Sequence, residues 1–180
     1  MPEPTILIRP ITLNDVAVLA AIYCVCFAEA PWFEVIALND AINDMLEVLN
    51  RDNAVMVLAE IDGVPVGAAW LFNVEHKADV MELANIPPQS PYISEIFVSP
   101  AARGRGIARA MVETLLKSVP NAELGAVRTS VNQPVIIGLF ESLGWTIVTT
   151  ESVESTKCID GAVTTAPDTR VILVGKIANT

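Results

Sequence analysis

At 180 residues, with 52% hydrophobic side chains and a formal net charge of -10, the chain can bury a substantial core in a single domain spanning 1–180. The acidic balance disfavours nucleic acid and anionic membrane as partners, and despite a positive mean hydropathy no uncharged apolar run approaches the roughly 20 residues a bilayer needs. No signal peptide is expected, and Cys24, Cys26 and Cys158, which lack metal-ligand spacing, read as free thiols of a cytoplasmic protein without a metal site.

Thr5 to Arg9 reads as a first strand. Thr12-Leu13-Asn14-Asp15 is a helix start, with Thr12 as N-cap and Asp15 three residues on, and the mostly apolar helix runs to about Phe27. Ala28 to Glu34 is a loop carrying Trp32 and Phe33 between the carboxylates Glu29 and Glu34, and a second helix follows from about Asn39 to Leu49. Val55 to Ile61 and Val64 to Phe72 are apolar strands joined by Asp62-Gly63, a dipeptide suited to a tight hairpin. Val74 to Ser90 has no clear period and reads as a loop with about one helical turn; His76, the only histidine, reads there as a surface residue.

Tyr92 to Val98 is the next strand, stopped by Pro100. The helix after it repeats Ile107, Met111 and Leu115, and Ala108, Val112 and Leu116, every four residues, which gives a broad apolar stripe. Glu123 to Val131 is a further strand, and Asn132-Gln133-Pro134 opens a helix that closes at Leu143-Gly144. Trp145 to Ser152 and Arg170 to Lys176 read as two closing strands around a polar loop containing Asp160-Gly161 and Pro167.

Between the strand at Tyr92 and its helix, Gly104 and Gly106 let backbone approach a ligand, and the first amides of the helix point outward unpaired. With Arg103, Arg105 and Arg109 alongside, this turn suits a phosphate or pyrophosphate. A plain strand-to-helix turn with solvated arginines is the alternative for a lone Gly-x-Gly.

Arg103-x-x-Gly106-x-Ala108, coming directly after Ile96-Phe97-Val98-x-Pro100, resembles the acetyl-coenzyme A signature of the GNAT superfamily of N-acetyltransferases, Gln/Arg-x-x-Gly-x-Gly/Ala. It is not a dinucleotide fingerprint, because no glycine stands at Arg109, and no Gly-Lys-Ser/Thr follows to make a P-loop. Ile8-Arg9-Pro10 with Asp15, the run Glu60 to Gly67, and Phe140-Glu141-Ser142-Leu143-Gly144-Trp145 are similar to other parts of the same family, so the resemblance covers nearly the whole chain. It implies an α/β (α+β) domain with a central mixed, mostly antiparallel sheet of about six to seven strands flanked by about four helices. Two departures stand out. Asn132 lies one residue further from the aromatic position than the family spacing, and Phe140 stands where the family has a tyrosine.

The resemblance implies an N-acetyltransferase that moves an acetyl group from acetyl-CoA, its co-substrate, to a primary amine of a small molecule or peptide by direct transfer in a ternary complex. It assigns the cofactor to the backbone of Ile96, Phe97 and Val98, to the turn residues Arg103, Gly104, Arg105, Gly106, Ile107, Ala108 and Arg109, and to Asn132. The acceptor falls to the loop of Trp32 and Glu34, where a cationic amine would find π faces and carboxylates unless the aromatics simply cap the core. Glu95 is the candidate base, the alternative being a glutamate on the solvent side or paired with an arginine. Phenylalanine cannot donate a proton to the thiolate, so water, Tyr23, Tyr92, Ser142 or the amine itself must do so, and a non-catalytic acyl-CoA-binding module stays open. The high apolar content also leaves room for a homodimer.

Overall fold

The computed structural model describes residues 5–177. Its strands are β1 (Ile6–Pro10), β2 (Val55–Ile61), β3 (Val64–Asn73), β4 (Pro91–Val98), β5 (Leu124–Ser130), β6 (Thr146–Ile159) and β7 (Ala162–Lys176). Its helices are α1 (Val16–Phe27), α2 (Leu38–Leu49), α3 (Ala78–Ala84), α4 (Ile107–Lys117) and α5 (Pro134–Ser142). The strands form one seven-stranded sheet in the order β1-β2-β3-β4-β5-β7-β6, antiparallel throughout except where β4 meets β5. The mixed, mostly antiparallel sheet expected from the sequence is therefore present, with five helices rather than about four.

Alternation along the strands divides the interior between the two faces of the sheet. Met56 and Leu58 of β2, with Trp70 and Phe72 of β3, join Leu19, Ala20, Met45 and Val80 of α1, α2 and α3. Val57, Ala59, Ala69 and Leu71 point the other way, to Met111, Val112 and Leu115 of α4 and Phe140 of α5. The apolar stripe of α4 thus packs as its spacing requires.

Thr12 and Asp15 shape the entry to α1. The Thr12 backbone N–H and hydroxyl both donate to Asp15, at 2.8 and 2.7 Å, and Arg9 grips the same carboxylate at 2.9 and 2.8 Å while also reaching Glu60. That ion pair holds the Asp15 carboxyl well below the usual carboxylate range. Strand β1 is thereby fastened to both β2 and α1.

Two regions differ from the sequence reading. Residues Ala78 to Ala84, expected as part of a loop, form α3, which ends at Asn85 in the left-handed region with φ 50°. The closing strands are far longer than expected, because the polar stretch between them is itself a hairpin turning at Asp160-Gly161. Both Asp-Gly pairs, this one and Asp62-Gly63, have positive φ at both residues, as a type I′ turn requires.

Candidate active site

Strands β4 and β5 are the parallel pair, and they pair only at Tyr92–Ala126 and Ile93–Val127. Beyond Ile93 they part, and the backbone of Ser94 to Val98 faces a cavity of about 820 Å³ instead of a neighbouring strand. The cavity runs between α1 and the loop after it on one side and α4, β5 and α5 on the other. Along its wall, carbonyls and amides are available for an extended ligand to pair with as a strand would.

A bulge aims Glu95 into this space. In the β3–β4 register Trp70 opposes Glu95 and Leu71 opposes Ile93, so Ser94 is an extra residue. Residues opposed in an antiparallel pair share a face, which puts Glu95 with Trp70, Phe97 and Tyr23, whereas unbroken alternation would place it with Ile93. Burial pushes its carboxyl up to about 8; Glu34 and Asp44 add to the shift, while Lys77 and Arg170 oppose it. The residue lines the cavity and forms no salt bridge among the described residues. Of the alternatives left open by the sequence, an arginine-paired glutamate is thus not what is observed.

At the other end, Gly104 and Gly106 have φ of 76° and 75°, a conformation that favours glycine, and Gly106 is the N-terminal cap of α4. The amides of Gly104 to Arg109 donate to no backbone carbonyl, and a Cβ built on either glycine meets nothing within 4 Å. An anion held there would face several free N–H groups and the positive end of an eleven-residue helix. The arginines behave differently from the expectation. Arg103 turns inward, its Nε donating to the Val98 carbonyl at 3.0 Å and its Nη1 to Glu29 at 2.7 Å. Arg109 is held by Ser142 and by Glu113 at 3.4 Å, and Arg105 is exposed and outside the cavity lining. What the turn presents without a partner among the described residues is therefore its backbone amides.

Ile96, Phe97, Val98, Ile107 and Ala108 line the cavity with Arg103, Gly104, Gly106 and Arg109, so the strand and turn named from the sequence converge on one space. Asn132 does not join them. It is exposed, its N–H donates to Ser130 Oγ at 3.2 Å, and Gln133 lines the cavity in its place, as the one-residue offset in spacing foreshadows.

On the acceptor side, Trp32 and Glu34 line the cavity and Phe33 does not. The π face expected to receive a cationic amine already has a cation over it, because the Arg170 guanidinium lies 4.8 Å from the Trp32 ring centroid. Glu29, the other carboxylate of this loop, is committed to Arg103. Only Glu34 remains free of an ion pair, and burial raises its carboxyl against the pull of Arg170 and Lys157. The loop itself is pinned to the β6–β7 hairpin, with Cys158 N–H donating to Phe33 O at 2.6 Å and Lys157 Nζ to Pro31 O at 2.7 Å.

Arg170 escaped the sequence reading, as did the partners that hold it: Asp168 accepts from its Nε at 2.5 Å and from Ser130 Oγ at 2.9 Å. His76 is exposed and packs beside Phe72, away from the cavity. Phe140 is fully buried against Trp145, with ring centroids 4.9 Å apart, and does not line the cavity. Tyr23 and Tyr92 do line it, and burial raises both hydroxyls, that of Tyr92 to about 12 and that of Tyr23 further still. Among the described residues no helix is long and apolar enough to cross a membrane, and no group of three or more His, Cys, Asp or Glu could hold a metal ion.

Comparison with known proteins agrees with this geometry. The model of the acetyltransferase (GNAT) family matches residues 19–145. No curated protein matches in sequence. Among solved structures, the ribosomal-protein-alanine N-acetyltransferase of Brucella melitensis superposes with a TM-score of 0.71 at 21% identity, covering 94% of this chain and 99% of its own. A Salmonella typhimurium protein solved with its cofactor acetyl-CoA gives 0.67 at 15% identity, over 97% and 95% of the two chains. Spermidine N-acetyltransferase from Vibrio cholerae, in complex with CoA and spermine, gives 0.68 at 13% identity, over 96% and 95%. With more than two thirds of its length inside the family match, the chain belongs to the GNAT acetyltransferases, enzymes that use acetyl-CoA.

Proposed function

We propose that the protein transfers an acetyl group directly from acetyl-CoA to a primary amine of a small molecule or peptide, with Glu95 as the base. The observation that carries this reading is the placement of a free carboxyl of raised affinity for protons on the same strand whose unpaired backbone lines the cavity. The two similar structures named above for ribosomal-protein alanine and for spermidine act on amines, which supports the same acceptor class here.

Acetyl-CoA, when bound, supplies the acetyl group as a thioester. The edge of β4 at Ile96, Phe97 and Val98 would hold its extended arm, and the amides of Gly104 to Arg109 its pyrophosphate. An amine of pKa near 10.4 is neutral in only about one molecule in 2,500 at pH 7, a cost of roughly 4.6 kcal/mol. A carboxylate whose conjugate acid has pKa about 8 lies closer to that amine than an ordinary glutamate does and takes its proton more readily. Tyr23 and Tyr92 line the cavity with protonated hydroxyls that burial makes weak acids, so they can hydrogen-bond a departing thiolate while the amine's second proton neutralises it. Holding both reactants in one cavity contributes several kcal/mol more.

Phe140 favours a second reading, a non-catalytic acyl-CoA-binding module, since it has no hydroxyl and is buried outside the cavity. Calorimetric titration with acetyl-CoA followed by thiol release with a panel of amines separates the two. Binding with amine-dependent release is the expected result; binding without release from any amine would establish the module instead.

A further inference from the structure

The acceptor end of the cavity gathers acidic and basic side chains that have no ion-pair partner among the described residues. Glu34 and Glu95 line it, and so does Lys77; none of the three forms a salt bridge among the described residues. Arg170 lines it too, in a special condition. Its Nε donates to Asp168 and its guanidinium carbon lies 4.8 Å from the Trp32 ring centroid, and among the described residues its two terminal nitrogens hold no hydrogen bond. The side chain is 18% exposed and lines both this cavity and the smaller one beside Glu34 and Lys157; neither terminal nitrogen is sealed from solvent, so the fork is held by Asp168 and Trp32 while its donors stay open to a ligand.

A planar guanidinium with two adjacent free donors matches a carboxylate, which accepts both at once. Fixing it beforehand removes much of the ordering cost of binding. A simple diamine or polyamine would satisfy Glu34 and Glu95 but would be repelled by Arg170 and Lys77. A peptide N-terminus brings a neutral amide where a carboxylate would be needed.

We propose that the acceptor is a small zwitterion, an amine that also carries a carboxylate in the manner of a free amino acid, with its ammonium at Glu95 and Glu34 and its carboxylate at Arg170, aided by Lys77. The assignment rests on the amine-acetylation reading above. In the reaction the amine nitrogen bonds to the acetyl carbon and the thioester C–S bond breaks. The products are an N-acetyl amino acid and the free thiol of CoA. The ammonium loses two protons: one passes to Glu95 before attack, and the other leaves the nitrogen as the C–S bond breaks and reaches the thiolate, directly or relayed through a cavity hydroxyl or water.

The test uses the full chain with acetyl-CoA and matched acceptors: methionine against 3-(methylthio)propylamine, phenylalanine against phenethylamine, leucine against isoamylamine, then the remaining amino acids, spermidine and a short peptide. At least one amino acid should exceed its decarboxylated partner in kcat/KM by roughly 10-fold or more, because a site built for a hydrogen-bonding group rejects the analogue lacking it. Arg170→Gln should raise KM for that amino acid by roughly 10- to 100-fold with a smaller change in kcat. Calorimetry of the amino acid on CoA-saturated protein should show the same loss without turnover. Should Arg170→Gln lose its cooperative thermal transition, Lys77→Met carries the test, with KM raised about threefold. Amines that equal or surpass their amino acids overturn the proposal. If only spermidine or the peptide releases thiol, the zwitterion falls and amine acetylation stands; if no amine of any kind does so, both fall.

Discussion

The guanidinium of Arg170 lies over the indole of Trp32, 4.8 Å from the ring centroid, while its Nε donates to Asp168 at 2.5 Å. Asp168 is 3% exposed and also accepts from Ser130 Oγ, so it joins β5, β7 and the loop after α1. Asp168→Ala would leave a mostly buried cation and a buried hydroxyl without their partner. The expected loss is about 3–5 kcal/mol, read from urea unfolding. Asp168→Asn keeps an acceptor for Ser130 and should lose less.

Glu95 should set the pH dependence of turnover. With its carboxyl at about 8, roughly one molecule in ten has the basic form at pH 7, so kcat/KM should climb with pH and level off above about 8. Glu95→Gln should abolish that inflection and lower kcat/KM by about 10²- to 10⁴-fold. The same group costs stability. Between the ordinary carboxylate range and about 8, the folded state binds more protons than the unfolded one, so stability falls as pH rises through that window. Glu95→Gln should therefore melt higher than the parent at about pH 9 and nearly together with it at about pH 4.

Gly106 separates conformation from charge. A Cβ there meets nothing within 4 Å, but the φ of 75° is unfavourable for any residue with a side chain. Gly106→Ala should cost about 1–2 kcal/mol of stability. Gly106→Glu should cost a similar amount and in addition weaken acetyl-CoA binding by about 100-fold or more, through a carboxylate placed against the anion. Calorimetric affinity unchanged in the glutamate variant would remove the turn from the cofactor site.

Gly67 is confined for another reason. A Cβ there would fall 2.4 Å from the Phe97 carbonyl oxygen and 3.0 Å from the Val98 Cα, and both are backbone of β4. Gly67→Ala should destabilise the protein by about 1–3 kcal/mol and, by displacing the wall of the cavity, weaken acetyl-CoA binding as well. Thermal melts and calorimetry on the same variant check the coupling.

The helix α4 was legible from its period, and β2 and β3 from continuous apolar runs on either side of Asp62-Gly63, as expected of strands buried on both faces. The β6–β7 hairpin was not. Beyond Ser152 burial still alternates, but the inward positions include Ser155, Lys157 and Asp168, polar residues that give no apolar period, so only the Asp160-Gly161 turn was visible. Helix α3 has seven residues, too few to display a period, although Asn85 marks its end. In the site, the glycine turn was readable from its residues and Glu95 was named through the family resemblance, while the Ser94 bulge that sets its face was not visible. Arg170 was not readable, because it reaches the cavity through a strand distant in sequence and is fixed by Trp32 and by Asp168, itself held by Ser130. Trp145 shows the same limit: its ring covers Gly125 and Gly175, which oppose each other in the β5–β7 register, and a Cβ on Gly175 would fall 2.1 Å from it.

The brief union of β4 with β5 divides the sheet into two plates joined at Tyr92 and Ile93. Glu95 belongs to the first plate and Arg170 to the second. Any ligand that touches both spans the joint, and because each core packs residues of β2 and β3 together with residues of β5 and β7, the separation of carboxyl and guanidinium is set by that shared packing.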